Sequence, residues 1–584
     1  MYRYVSTLDD MLDLREWFGR QPYVAMDTET SGLNVHSRDF RVRLVQFGNK
    51  TDAWVMDGED WRGFVKDILR EYQGRIIGHN LGGYDSAALR AVGIMLPWEK
   101  VDDTLIAMRL AEPHRNAGLK DVTGRLISSR AADSQQQLHS AMKKHKWGWD
   151  TVPHDLPEYR FYAGMDVILN SRLYEHEVCQ RGLNSPVYEM EMDVRAICSE
   201  MEWGGMRVNV PFAKRTADKL RQEASDLSLG IQSAHGFSVS SNAQLSRWLL
   251  ERGVKLSVMT GGGAPSVSKD ALEIARYSAT GEAADVMDAV LRSRKITKMA
   301  GSYFDNFVNM STDGLLHPQI QTLQARTGRM SITNPAMQTL PRVSDDDPDA
   351  RLVRQAIIPR EDDHLIVSSD FSQIELRIIA SLSEDQGLIE AFRDADESGG
   401  DLFVSTMRIV YGDPTLEKSD PRRSPIKNFM YASSYGAGTA KMAQTARVSV
   451  EEMRAVADAV HGRFTGIKRY MKTCERESIE NDNWVTTPFG RRIWVDPDIS
   501  YKALNAKVQS FAGDIFKHTM VNLAKAGLTE YMMCPVHDEV VFSVPGEELE
   551  EVRRIIADVM PYNDLAVPVP ADPSPGVNDW SQAK

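Results

Sequence analysis

The chain has 584 residues, 42% hydrophobic and 26% charged, with a formal net charge of −13; this is long enough for several domains with sizeable buried cores. No apolar run approaches the roughly 20 residues of a membrane helix, and the N-terminal MYRYVSTLDD lacks the basic flank and apolar core of a signal peptide, so a cytoplasmic chain is expected. Cys179, Cys198, Cys474 and Cys534 form no CxxC or Cys/His pattern, so neither a disulfide framework nor a structural zinc is suggested, and the acidic total does not exclude nucleic acid, which binds to local basic surfaces.

From Tyr23, YVAMDTETSGL reads as a strand carrying Asp27 and Glu29 at i and i+2, so both carboxylates leave one face and can share a metal. A second strand covers Val42 to Phe47, and IIGHNLGGYDSAALRAVGI then places Asp85 near the start of a helix. EYRFYAGMDVILNSRLYEHE is helical in pattern, with Tyr162 and Asp166 at i and i+4 on one face. Each piece also has an ordinary structural reading: a common strand pattern, a helix cap and a surface pair. In order and spacing the three strings resemble the motifs of DEDD-type 3′–5′ exonucleases of the tyrosine subclass. The resemblance assigns Asp27, Glu29, Asp85 and Asp166 to two divalent metals and Tyr162 to the attacking water.

A charged helix between about Cys179 and Glu202 leaves this first domain. Amphipathic helices follow over Phe212 to Ala234, Asn242 to Arg252, Lys269 to Arg276 and Ala284 to Tyr303, interrupted by a mobile loop at Thr260 to Ser268. Arg292, Arg294, Lys295 and Lys298 suit either phosphate contact or a solvated face. In QTLQARTGRMSITNPAMQTLPR, Arg326 and Arg329 flank Thr327 and Gly328, a pattern that lets backbone approach a phosphate chain. The acidic run at Asp345, Asp346, Asp347 and Asp349 reads as a solvated loop.

HLIVSSDFSQIELRIIASLS is a buried strand followed by an amphipathic helix, with Asp370 at the joint. A carboxylate there is held rigidly yet reaches a cleft, as a metal site requires, although a helix-capping role fits as well. In PRRSPIKNFMYASSYGAG, Arg423, Lys427, Tyr431 and Tyr435 are spaced by four and form one drifting helical stripe. WVTTPFGRRIWV reads as two short strands about Gly490, with Arg491 and Arg492 available for DNA. YKALNAKVQSFAGDIFKHTMVNLA places Asn505 and Gln509 on one helix face, and YMMCPVHDEVVFSVP is a buried hairpin with His537, Asp538 and Glu539 at its turn. A buried Asp538 needs a cation nearby.

The strings TGR, DFSQIELR, RxxxKxxxYxxxYG and HDE, in this order after the exonuclease set, resemble family A DNA polymerases of the DNA polymerase I type. The match is to the phage-like branch, with a proofreading domain and no 5′ nuclease domain. The resemblance implies an α/β and α+β multidomain fold: an RNase H-like exonuclease domain (1–190), then a right-hand polymerase with thumb (191–325), palm (326–384 and 484–584) and fingers (385–483). It implies metal binding by Asp370, Asp538 and the Phe371 carbonyl, with Glu539 auxiliary. Gln373 and Glu375 fall on the dNTP, Glu375 filling the space of a ribose 2′-hydroxyl and so selecting deoxynucleotides. Arg423 and Lys427 would neutralise the triphosphate, Lys427 protonating the leaving pyrophosphate, while Tyr431 stacks near the incoming base and sugar. Arg329, Tyr435, Asn505, Gln509 and His537 fall on primer-template DNA; amides at Asn505 and Gln509 suit minor-groove acceptors present on every base pair.

Two positions depart from the family pattern. Phe403 stands where a triphosphate-contacting histidine is usual, and Ala432 where glycine is usual. The expectation is therefore a monomeric DNA polymerase acting in replication or repair, using dNTPs and two Mg²⁺ ions per active site, with Mn²⁺ as substitute. A processivity factor or helicase partner is not specified by the sequence. A single-subunit RNA polymerase is the rival enzyme, which Glu375 and the intact exonuclease set oppose. A non-catalytic DNA scaffold has no use for two sets of buried, mutually repelling acids.

Overall fold

The computed structural model describes residues 2–341, 343, 347–434, 438–446 and 448–583. Tyr435, Asp345 and Asp346 therefore lie outside the described residues. Among those described, no helix is long and apolar enough to cross a membrane.

The N-terminal part is built on a mixed six-stranded sheet in the order Tyr2–Val5, Ala53–Asp57, Val42–Gly48, Tyr23–Thr30, Arg75–Gly78 and Val101–Asp103. Tyr23–Thr30 lies inside this sheet, antiparallel to Val42–Gly48 and parallel to Arg75–Gly78. Helices cover both faces, which is why the strand reads as a nearly continuous apolar run through Val24, Ala25 and Met26 rather than alternating. The helix Pro157–Tyr174 crosses the sheet at very short range. A Cβ at Gly48 would stand 2.6 Å from Val167 Cγ2, and one at Gly164 2.9 Å from Tyr2 Cβ, so small residues set how closely Asp166 approaches the central strand.

The helix Tyr188–Gly204 joins two cores. Its first half (Tyr188, Met192) packs in the N-terminal core, and its second half (Val194, Ile197, Cys198, Met201) packs in the large core of the remaining chain. The helices Val210–His235 and Glu282–Met299 then pack together, and with Asn242–Glu251 and Lys269–Ser278 they enclose a separate small core. The expected mobile loop after Thr260 is a tight turn, closed by Thr260 N–H to Ala264 C=O at 2.8 Å and Ser266 N–H to Val258 C=O at 2.7 Å. The cations here, which suited either phosphate contact or a solvated face, are mostly committed within the protein. Arg292 pairs with Glu223 and Asp349, Lys295 with Asp347 and Asp349, and Arg294 donates to the Val267 carbonyl. Asp347 and Asp349 thus serve as ion-pair partners, and Asp347 also caps the Pro348–Gln355 helix.

The C-terminal part centres on a four-stranded antiparallel sheet ordered Met532–Val536, Glu539–Pro545, His364–Phe371 and Ala571–Pro573. Ile366, Val367 and the facing Val540, Val541 and Phe542 are fully buried, and as consecutive strand residues point to opposite faces, both faces of the sheet are covered here. Among the described residues, six helices run from Gln386–Ser398 to Thr465–Glu480, with starts at Asp385, Asp401 and Ser449 set by polar caps. The long helix Ala503–Lys525 packs against Tyr188–Gly204, Thr465–Glu480 and Ile374–Ser383. Arg491 does not face solvent as expected: it is 3% exposed and ion-paired to Glu191 and Asp514, while Arg492 lies exposed over the Trp484 ring.

Candidate active sites

In the sheet of the C-terminal part, Asp370 is the seventh residue of its strand and stands in register with Glu539 on one neighbour and Asp572 on the other. Phe371 N–H donates to the Asp538 carbonyl at 3.3 Å, so Asp370 and Asp538 lie at adjoining points of neighbouring strands. Asp370 is exposed and Asp538 half-buried, at the solvent-facing end of an otherwise buried hairpin. His537, in the turn, takes φ +61°, and Gln373, which starts the Ile374–Ser383 helix, takes φ +54°. These left-handed residues end the strands abruptly, so the acids sit at a rim and not in the core. Glu539 is turned back into the protein: it accepts from Ser368 Oγ at 2.5 Å and Trp580 Nε1 at 2.8 Å, and meets Arg354 at 3.4 Å. The Phe371 ring is buried against Phe516, and the Gln373 amide oxygen is buried without a hydrogen-bond partner.

The stripe on Arg423–Ser434 sits above Phe403. The Phe403 ring lies 5.5 Å from the Arg423 guanidinium, 5.9 Å from Lys427 Nζ and 5.6 Å from the Tyr431 ring. The residue that replaces histidine thus forms an aromatic floor under the two cations. Arg423 is also ion-paired to Asp401, the cap of the preceding Leu402–Tyr411 helix, a partner the sequence reading missed although an aspartate before an apolar helical run is a legible cap. Arg329 is ion-paired to Glu375, which is 9% exposed. Asn505 and Gln509 are half-buried on Ala503–Lys525, and one turn further Gly513 passes Arg329, its would-be Cβ 3.6 Å from Arg329 Cγ. The structure therefore aligns Asn505, Gln509 and Arg329 along one edge leading to Glu375.

In the N-terminal part, Asp27 and Glu29 come from the central strand, Asp85 from the turn Leu81–Asp85 before the Ser86–Ala91 helix, and Asp166 from the crossing helix. Thr28 donates to Asp85 from its backbone at 3.0 Å and its hydroxyl at 2.5 Å, and Gln46 donates to Asp27 at 3.0 Å. Burial, then repulsion from Asp85 and Asp166, pushes Asp27 well up; burial and the three other acids do the same to Glu29. Burial raises Asp85 to about 7 against the Thr28 bonds, and raises Asp166 against the opposing charge of Lys120. Burial and the neighbouring carboxylates also raise the Tyr162 hydroxyl, which stays protonated and donates to Asp166. Lys120 was not legible in sequence: it pairs with Asp166 and lies 5.1 Å from the Tyr162 ring.

Among the described residues, no three His, Cys, Asp or Glu side chains are drawn together into a closed ion-holding set. The buried acids nevertheless fit divalent cations, since a bound cation would relieve the burial and repulsion that hold their proton affinities high.

Two family models match the chain: one described as DNA polymerase family A over residues 211–582, and one described as 3′–5′ exonuclease over residues 2–176. The chain is a family A DNA polymerase. It is 31% identical to the DNA polymerase of Mycobacterium phage D29 over 98% of its own length and 95% of that protein's. It is 30% identical to that of Mycobacterium phage L5, covering 99% and 96%. Its fold resembles the polymerase domain of Pol1 from M. smegmatis, solved in complex with DNA primer-template and dNTP, at a TM-score of 0.81, 22% identity and full coverage of both chains. This polymerase carries out template-directed DNA synthesis and includes a 3′–5′ exonuclease domain. Enzymes of its two families are in general metal-dependent.

Between its two parts, this polymerase has a cavity of about 300 Å³ whose lining includes Arg109, His114, Arg115, Arg326 and Arg492. The sequence reading gave Arg326 to backbone approach but did not foresee that Arg109 and Arg115 of the N-terminal part would face it.

Proposed function

We propose that the chain is a proofreading replication or repair polymerase, monomeric on primer-template DNA, with two Mg²⁺ ions at each site. The division into an exonuclease domain (1–190), thumb (191–325), palm (326–384 and 484–584) and fingers (385–483) accompanies this reading. The observation that carries it is the Phe371 to Asp538 hydrogen bond, which joins two acids distant in sequence at one exposed rim.

In this reading Asp370, Asp538 and the Phe371 carbonyl would hold the ions used for synthesis, and Asp27, Glu29, Asp85 and Asp166 those used for trimming. When bound, the metals supply a lowered pKa for the attacking oxygen and charge for the leaving one. The 3′-oxygen forms a bond to the α-phosphorus, and the bond to the bridging oxygen of pyrophosphate breaks. Lys427 neutralises the triphosphate and donates a proton to the leaving pyrophosphate; Arg423 shares the charge by exchanging Asp401 for phosphate oxygens. Tyr431 and Gln373 bound the nucleotide, Glu375 excludes a 2′-hydroxyl, and Arg329, Asn505, Gln509 and His537 hold the primer-template. Tyr435 would stand beside the templating base. A frayed primer end reaches Tyr162 past the arginine-lined cavity, whose cations suit a single-stranded phosphate chain.

The test is primer extension with Mg²⁺ by the wild type, Asp370→Ala and Asp27→Ala. Synthesis should vanish only in the first variant and 3′ trimming only in the second. Synthesis by Asp370→Ala at the wild-type rate would remove Asp370 from the reaction.

A further inference from the structure

Beneath Arg329 lies a quartet of charges withdrawn from solvent. Lys517, on the same helix as Asn505, Gln509 and Gly513 and continuing their spacing of four, is 1% exposed. Its Nζ donates to Glu191 at 2.6 and 2.9 Å and to the carbonyls of Thr322 and Gly328, each at 2.7 Å. Glu191 also pairs with Arg491, whose Nε donates to Asp514 at 2.6 Å, and Asp514 accepts from Thr487 Oγ1 at 2.8 Å. Two cations and two anions thus balance in a space without water access. Such groups are costly to bury unless each finds its partners, so their placement needs a reason beyond stability.

The geometry of the loop supplies one. Thr322 and Gly328 are the two ends of the segment that leads into Arg329, and one ammonium clasps both carbonyls. Gly328, at φ +75°, lies flat on Arg491: a Cβ there would be 2.9 Å from its guanidinium. The chain is gripped again just upstream, where Ile320 donates to Glu202 and accepts from Arg195, and within the segment itself, where Arg109 reaches the Leu323 carbonyl at 2.6 Å. Glu191, Arg195 and Glu202 all belong to the helix that joins the exonuclease core to the polymerase core.

We infer that Lys517 is a positioning residue for the primer-end arginine: with Glu191 it fixes the Thr322–Gly328 loop so that Arg329 is presented to the primer terminus from a support rooted in the exonuclease side. This rests on the assignment of Arg329 to the primer end. The quartet touches neither substrate nor reacting atoms and acts through the direction in which Arg329 points.

The test uses the full chain with phosphorothioate-terminated primers, which resist trimming, in single-turnover extension from matched and mismatched ends well below the melting temperature of every variant. The proteins are the wild type, Lys517→Met, Glu191→Gln, Arg329→Ala and the double variants with Arg329→Ala. Lys517→Met should slow matched-end extension about tenfold at unchanged dNTP affinity and narrow the matched-to-mismatched ratio. Its effect should be absent once Arg329 is already alanine, the non-additivity expected of residues acting as one unit. Glu191→Gln, which keeps the side-chain shape, should follow the same pattern and carries the test if Lys517→Met does not fold. Wild-type extension by both single variants, or losses that multiply with that of Arg329→Ala, overturns the inference while leaving the primer-end role of Arg329 standing. Wild-type matched-end extension by Arg329→Ala overturns both.

Discussion

The guanidinium of Arg329 is ion-paired to the carboxylate of Glu375, across 46 positions of sequence. One of these residues is assigned to the primer terminus and the other to the sugar of the incoming nucleotide, so the pair spans the place where the new bond would form. Glu375→Ala therefore has two consequences. Opening the sugar space raises ribonucleotide incorporation relative to dNTP by roughly tenfold or more, the factor that about 1.4 kcal/mol of relieved clash represents. Loss of the anion also frees Arg329, so matched-end extension with dNTP slows. Glu375→Gln should keep most of the sugar selection while showing the second effect. Parallel rNTP and dNTP incorporation by the three proteins checks this, and unchanged ribonucleotide use in Glu375→Ala removes the steric gate.

The exonuclease acids make a prediction about pH. Asp85 is raised from 3.8 to about 7, and Asp27, Glu29 and Asp166 are raised with it, burial being the first cause in each case. The folded, metal-free protein therefore holds more protons at this site than the unfolded chain does between those pH values. This site's contribution to stability therefore falls as pH rises through that window, by about 1.4 kcal/mol for each unit by which a pKa is raised. Melting of the metal-free wild type against Asp85→Asn between about pH 4 and pH 7 measures the contribution: the advantage of wild type over variant should shrink as pH rises. Saturating Mg²⁺, which binds the ionised form, should flatten the curve. A difference independent of pH would mean that Asp85 keeps an ordinary proton affinity.

The elements and their order were legible because each chemical string coincides with a change of periodicity. DFSQIELR marks the end of an apolar strand and the start of an amphipathic helix, and HDE sits between two apolar runs. The stripe from Arg423 through Lys427 to Tyr431 follows from helix geometry alone. Charge partners were not legible. Arg491 read as available for DNA, and Arg292 and Lys295 as suited to either phosphate or a solvated face, because a cation in sequence carries no sign of the acid that folding will bring to it. Glu191 meets Arg491 across 300 positions and Lys517 across 326. Lys120 was missed for the same reason, since nothing near it in sequence points to Asp166, whereas Asp401 beside Arg423 could have been anticipated as a cap.

Tyr431 carries the last prediction. Its ring packs on Phe403, which sets it beside Lys427 on the face where the triphosphate would lie. The resemblance to the phage-like branch of family A polymerases implies acceptance of 2′,3′-dideoxynucleotides with tyrosine at this position, its hydroxyl bonding the incoming phosphate in place of the missing 3′-OH. A hydrogen bond to a charged group is worth about 1.5–3 kcal/mol, so Tyr431→Phe should raise discrimination against dideoxynucleotides by roughly 10- to 100-fold. Use of ordinary dNTPs should hardly change, since their own 3′-OH supplies the contact. The effect should appear in the ratio of terminator to dNTP incorporation. Strong rejection of terminators by the wild type, unaltered in Tyr431→Phe, would show that the hydroxyl does not reach the phosphate.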